Sequence, residues 1–168
     1  MSRRRLVWIG AAVGVVLGAL LVWLVWPEKR AEPPRARQYL DYAACLLTDA
    51  QGVAGAAAAP VWAGMQDASL ATHAKVQYLQ VTGEATVGNA LPYLATLVQR
   101  RCAVVFAVGP AQVAAVAADA AKHPAVRFVV AGGSSPASNV AVIDSSDPAQ
   151  VRGQADRLLR DAVRRTTR

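Results

Sequence analysis

Between Leu6 and Trp26 the chain runs 21 residues without a charge, directly behind Arg3, Arg4 and Arg5. At about 1.5 Å of rise per residue, a helix of that length crosses roughly the 30 Å hydrocarbon core of a bilayer. A cleaved signal peptide carries a shorter apolar stretch, about 7–15 residues, and a small-x-small cleavage site. Leu24-Val25-Trp26-Pro27 offers no such site. Trp8, Trp23 and Trp26 stand near the two ends of the run, where indole rings favour the headgroup level. The segment reads as an uncleaved signal anchor. Lys29, Arg30, Arg35 and Arg37 follow it and rival the leading arginines, but compact charge at the extreme N-terminus favours that end inside. The expected location is therefore the cell membrane, single-pass, with a cytoplasmic N-terminus and an extracytoplasmic domain. Within the span Gly10, Gly14 and Gly18 repeat every four residues on one helix face, which lets a second copy approach closely. Ordinary membrane-helix composition accounts for the same glycines, and both readings stay open.

The expected organisation is a cytoplasmic stub at 1–5, the anchor at 6–26 and a charged stalk at 27–37 containing Pro33-Pro34. A folded lobe at 38–151 and a basic amphipathic helix at 152–168 follow. The net charge of +7 is unevenly spread. Residues 1–37 carry a net +5, residues 38–151 a net −2 and residues 152–168 a net +4. A basic chain ordinarily raises nucleic acid as a partner; a mildly acidic folded middle argues against it here. Arg outnumbers Lys fifteen to three and alanine occurs 36 times, a bias that looks more like GC-rich coding than functional selection.

Past the stalk, short apolar runs alternate with stretches of helical period. The runs are Ala44–Thr48, Val76–Val81, Ala103–Val108, Val126–Ala131 and Asn139–Ile143. Three are nearly continuous, as strands buried on both faces of a parallel sheet must be. Val87, Ala90, Leu91, Leu94, Leu97 and Val98 step by three and four, as do Val113, Val116 and Ala120. Val61, Trp62, Met65 and Ser69 mark an earlier helix near Ala58 to Ala74. Asp147-Pro-Ala-Gln150 opens a last helix with a capping acid and a first-turn proline, and that helix buries Val151, Ala155, Leu158, Leu159 and Ala162. The expected fold is α/β: one Rossmann-like lobe with an open parallel sheet in the order 2-1-3-4-5, preceded by one transmembrane helix. That order makes strands 1 and 3 neighbours and brings Cys45 and Cys102 to the same end of the sheet. An extracytoplasmic lobe permits a disulfide between them, whereas a cytosolic one keeps two buried thiols. The bridge is the reading adopted. Tyr42-Ala43-Ala44-Cys45 only partly resembles a lipobox, with Tyr at an aliphatic position and 19 residues separating Cys45 from Trp26.

In such sheets ligands sit beyond the carboxyl ends of the strands, where the order reverses. The candidate binding residues are Thr48, Asp49 and Gln51 after strand 1 and Gly109, Pro110 and Gln112 after strand 3. Gly132 and Gly133 after strand 4 complete the set. Taken singly, each also reads as a turn or cap residue. No catalytic motif stands out: GxSxG, Walker and GxGxxG patterns do not occur, and His73 and His123 with two cysteines are too few for a dedicated zinc site. The chain is expected to be no enzyme, with no cofactor and no metal.

Val61-Trp62-Ala-Gly64, Val104–Gly109, His123–Val130 and Ala137–Val142 resemble the first lobe of the basic membrane protein (BMP, PnrA-like) family, the substrate-binding proteins of ABC importers. The resemblance covers the middle two-thirds of the chain. It implies a type I periplasmic-binding lobe, a small polar and nucleoside-like solute, and ABC permease and ATPase subunits as partners. The family's Asp-x-x-Phe-Asn element before the tryptophan falls here on Ala54, Ala57 and Ala58, and Pro110 stands where an aromatic often does. The family's second lobe and lipid-anchoring cysteine have no counterpart. Two functions follow as expectations. One is a membrane-anchored solute-binding domain that works alone, with a partner lobe or as a homodimer through its span. The alternative is a non-catalytic interaction or sensory module in which the binding fold is only scaffold.

Overall fold

A computed structural model describes residues 38–134, 137–144 and 146–166. The anchor, the stalk and the Gly10, Gly14 and Gly18 face lie outside the described residues. Five strands, β1 (Ala43–Thr48), β2 (Lys75–Gln80), β3 (Val104–Ala107), β4 (Arg127–Ala131) and β5 (Val140–Ile143), form one sheet in the order β2-β1-β3-β4-β5. Every pairing is parallel. Among the described residues four α-helices follow strands β1, β2, β3 and β5: α1 (Ala58–Thr72), α2 (Val87–Gln99), α3 (Pro110–Asp119) and α4 (Pro148–Thr166). The architecture is a Rossmann-like α/β lobe with the expected strand order. Among the described residues, no helix is long and apolar enough to cross a membrane.

Alternating side chains of the central strands feed two cores. Leu46, Phe106 and Val129 face Met65 of α1 and Leu159 of α4. Leu47, Val105 and Phe128 face Leu94 of α2 and Val116 of α3. Two-sided burial explains why β3 is written as the uninterrupted run Val-Val-Phe-Ala, all four residues buried. The edge strand β2 lacks a neighbour on one side, and none of its six residues is buried. Trp62, on α1, is half-buried and meets Tyr78 of β2 edge-on, with ring centroids 5.5 Å apart.

Helix starts follow local chemistry. Thr86 accepts from the Asn89 amide at 3.2 Å ahead of α2, and Asp147 accepts from the Ala149 amide at 2.9 Å ahead of α4. His73 closes α1 in the left-handed region, φ 60°. The expected boundary between residues 151 and 152 falls inside α4, which is a single helix built into the lobe. Its Val151, Ala155, Leu159, Ala162 and Val163 are buried, while Leu158 packs only partly. The basic residues line the solvent side of an integral helix, so the charge shift at that point is a change of face and not of domain. Asp67 of α1 accepts from Arg152 of α4 at 2.6 and 2.9 Å, and the guanidinium holds that carboxyl below the usual carboxylate range.

Cys45 and Cys102 form a disulfide with Cα atoms 5.8 Å apart, tying β1 to the residue pair leading into β3. Both are fully buried. The Gln77 side-chain amide, reaching from β2, lies 3.2 Å from the Cys45 sulfur and 3.6 Å from that of Cys102. At the far side of the sheet the Asn139 amide nitrogen sits 2.9 to 3.0 Å from the carbonyls of Ala120, His123 and Val126, fixing the turn that feeds β4.

Candidate functional site

A cavity of about 490 Å³ opens beyond the carboxyl ends of β3 and β4. Its floor is Val108 and Ala131, continuing those strands. The first turn of α1 with the residues before it (Ala56, Ala57, Pro60) forms one wall, and α3 (Pro110, Val113, Ala114, Ala117) forms another. Gly132, Gly133 and Ser134 make the rim, and Pro148 and Val151 of α4 close the remaining side. Among the described lining residues none is charged, and Ser134 carries the only polar side chain. Three helices begin here because each follows the carboxyl end of a strand. Neither α1 nor α3 has a side-chain cap or an acid in its first turn. In α1 the Ala58 and Ala59 amides donate to the Gly55 carbonyl and Pro60 has no N–H. Between these two helices, the first-turn amides without a backbone partner among the described residues are therefore those of Ala111 and Gln112 in α3.

The expected site residues divide into two groups. Gly109, Pro110, Gly132 and Gly133 line the cavity. Thr48, Asp49, Gln51 and Gln112 do not; they cluster at the reversal of strand order between β1 and β3. There the Gln112 amide nitrogen donates to the Thr48 carbonyl at 3.3 Å, and Asp49 accepts from the Gln51 amide at 2.9 Å. Thr48 is fully buried and Gln112 is 2% exposed, and the Thr48 hydroxyl and Gln112 amide oxygen have no partner among the described residues. Gly109 makes room for this arrangement. A Cβ there would lie 2.4 Å from the Gln112 oxygen, and its φ of +109° is one that only glycine adopts freely. The protein's own Gln112 thus fills the crevice between β1 and β3, and the open space is displaced by one strand toward β4. Gly109→Ala is expected to cost about 1–3 kcal/mol from backbone strain alone, with the Gln112 clash added, and a melting curve reads it directly.

Of the three alanines at the resembling family's contact positions, Ala57 lines the cavity, Ala58 is buried and Ala54 ends a short turn of 3-10 helix. Sequence reasoning missed the walls supplied by Ala56, Pro60, Val113, Ala114 and Val151. Small apolar residues carry no chemical signature of a site. The one usable signal is positional, since Pro60 and Pro148 mark helix starts at the carboxyl end of the sheet. Among the described residues no group of three or more His, Cys, Asp or Glu stands close enough to hold a metal ion.

No protein-family profile matches the chain, and no curated protein matches it. Solved structures do share its fold. A fragment of a candidate lipoprotein from Peptoclostridium difficile 630 superposes with a TM-score of 0.59 at 14% identity, over 70% of this chain and 95% of that one. A transcriptional activator of the comK gene from Bacillus halodurans superposes with a TM-score of 0.50 at 16% identity, over 60% of this chain and 33% of that one. At such identities the likeness establishes the α/β architecture.

Proposed function

We propose that the protein is a membrane-anchored, extracytoplasmic solute-binding lobe, similar to the first lobe of the BMP family of ABC importer substrate-binding proteins. Leu6–Trp26 is its signal anchor. The observation that carries this reading is the cavity at the carboxyl ends of β3 and β4, whose volume of about 490 Å³ lies in the range of small-molecule sites. Its lining selects the ligand class. With apolar walls and no charged side chain among the described lining residues, the favoured solute is uncharged. Flat apolar parts of it pack on Val113, Ala114 and Pro60, and its hydroxyl or amide groups meet the free backbone groups of the α3 first turn and the Gly132–Ser134 rim. A nucleoside meets both requirements. One lobe encloses only one side of such a ligand, so a second lobe, a second copy or importer subunits complete the site.

A thermal-shift screen of residues 38–168 against nucleosides and other small neutral solutes tests this. A ligand that binds only the native state raises the melting temperature once its concentration exceeds its Kd. The expected result is a rise with at least one neutral polar solute and none with inorganic anions, and the rise disappears when Ala57→Phe blocks the cavity. The second reading, a scaffold for interaction or sensing, is favoured by Gln112 filling the β1–β3 crevice. A flat response across all solutes selects it.

A further inference from the structure

Every strand of a parallel sheet begins at the same end, so the topology gathers whatever precedes the strands on one face. Ala43 stands level with Lys75, and Val104 with Arg127. Arg100 and Arg101 follow α2, and Lys122 ends the turn after α3. Helix α4 returns to this end, where its Ala162 and Val163 share a core with Tyr42 just ahead of β1. All five cationic residues of 38–151 (Lys75, Arg100, Arg101, Lys122 and Arg127) therefore lie at the amino end of the sheet, and Arg164 and Arg165 of α4 join them. Four acids, Asp49, Glu84, Asp144 and Asp147, lie at the other end, beyond the carboxyl ends of the strands. At the basic face Asp41, Asp119 and Asp161 pair with Lys75, Lys122 and Arg164. Arg100, Arg101 and Arg165 are exposed and have no acidic partner among the described residues.

Cations near helix C-termini offset the helix dipole, which accounts for part of this pattern. It does not account for Lys75 and Arg127, which begin strands, and α1 and α2 carry no base in their last turns. The chain also enters the lobe at this face. Tyr39 and Leu40, the first residues leading to β1, are 50% and 39% exposed, and the Leu40 amide donates to the His73 carbonyl at 2.8 Å. A tyrosine and a leucine set among cations match the headgroup level of a bilayer. The uncharged Leu6–Trp26 run lies only 11 residues upstream of Gln38, within about 40 Å of extended chain.

We propose that the amino-end face docks on an anionic phospholipid surface, with Arg100, Arg101 and Arg165 against headgroup phosphates and Tyr39 and Leu40 at the interface. The docked lobe holds its cavity, at the opposite end of the sheet, away from the bilayer and open to the medium. The tether rests on the anchor reading above; the lipid preference of the face does not. Short tethering keeps the local concentration high, so a weak contact suffices.

The test uses the full chain with two sets of nanodiscs, one of phosphatidylcholine and one containing a third phosphatidylglycerol, read by hydrogen–deuterium exchange. The chain is expected to co-elute with both. Exchange around Arg100–Cys102, Ala120–Lys122 and the end of α4 should slow by about tenfold in the anionic discs only, each nearby cation adding to the attraction. High salt, or the combined Arg100→Gln, Arg101→Asn and Arg165→Gln substitutions, should abolish the slowing without changing the melting temperature. Identical exchange in both discs overturns the proposal. Salt-sensitive binding to anionic discs alone overturns the anchor reading and leaves the docking face standing; binding to neither overturns both. Equal protection by duplex DNA added to neutral discs makes the face a general polyanion surface and overturns the lipid assignment.

Discussion

Removing the Cys45–Cys102 bridge is expected to lower the stability of the lobe by about 4 kcal/mol, the chain-entropy value for closing 57 residues. For a domain of this size that loss corresponds to a melting temperature lower by roughly 10–15 °C. The bridge fastens the β1–β3 contact, the pairing around which the strand order reverses, so its loss loosens the centre of the sheet and not an edge. Both sulfurs are buried, with Gln77 laid over them from β2. A reductant should therefore act slowly on the native lobe and rapidly once it is unfolded. The measurement is a pair of melting curves, for the native chain and for Cys45→Ala/Cys102→Ala, with mass spectrometry of protein recovered from the cell envelope. Two free thiols in that protein, or coincident melting curves, would refute a stabilising bridge. A ligand response in the thermal-shift screen should survive the substitution, because neither cysteine lines the cavity.

The strand order and the pairing of the cysteines were legible because both follow from burial. A parallel strand covered on two faces has to be a short unbroken apolar run, and β3 and β4 are written that way. Helix α4 was legible at its start, through Asp147 and Pro148, and in its buried stripe, but the charge shift at residue 152 drew a boundary through it. Its arginines lie toward solvent while Val151, Ala155 and Leu159 interleave with α1, and composition averages the two faces. The site was legible only by topology. Glycines that bend the chain over the strand ends, Gly109 and Gly132-Gly133, do line the cavity, whereas Thr48 and Gln112 between β1 and β3 turned inward and Gln51 stays exposed. Thr48 and Gln112 are buried against each other, an outcome fixed by the absence of a Cβ at Gly109 and by nothing in their own polarity. The charge pattern needed the fold outright. A net charge of −2 over residues 38–151 conceals five cations at one end of the sheet and most of the acids at the other.

Gly64→Ala is expected to destabilise the lobe although it replaces glycine with the best helix former. Helix α1 crosses α4 so closely at Gly64 that an added Cβ would lie 2.3 Å from the Arg152 carbonyl oxygen and 2.9 Å from the Ala155 Cβ. The first of these is backbone, so no side-chain rotation relieves it, and the two helices must part. Intrinsic propensity offers at most about 1 kcal/mol in favour of alanine, while overpacking of this kind costs about 1–3 kcal/mol and occasionally more. The clash wins because separation also strips packing from Val61, Met65 and Leu159 and pulls Arg152 from Asp67. The net loss should be about 2 kcal/mol. Gly153→Ala supplies the contrast within α4: its Cβ would meet nothing closer than the Arg157 guanidinium at 3.4 Å. There the propensity gain stands unopposed, and stability should rise by about 0.5–1 kcal/mol. Denaturant titration of both variants reads the opposite signs, and a Gly64→Ala lobe as stable as Gly153→Ala would mean that α1 and α4 do not cross as closely as described. Because Pro60 of α1 and Val151 of α4 wall the cavity, the Gly64→Ala lobe should also lose ligand response before it loses its fold.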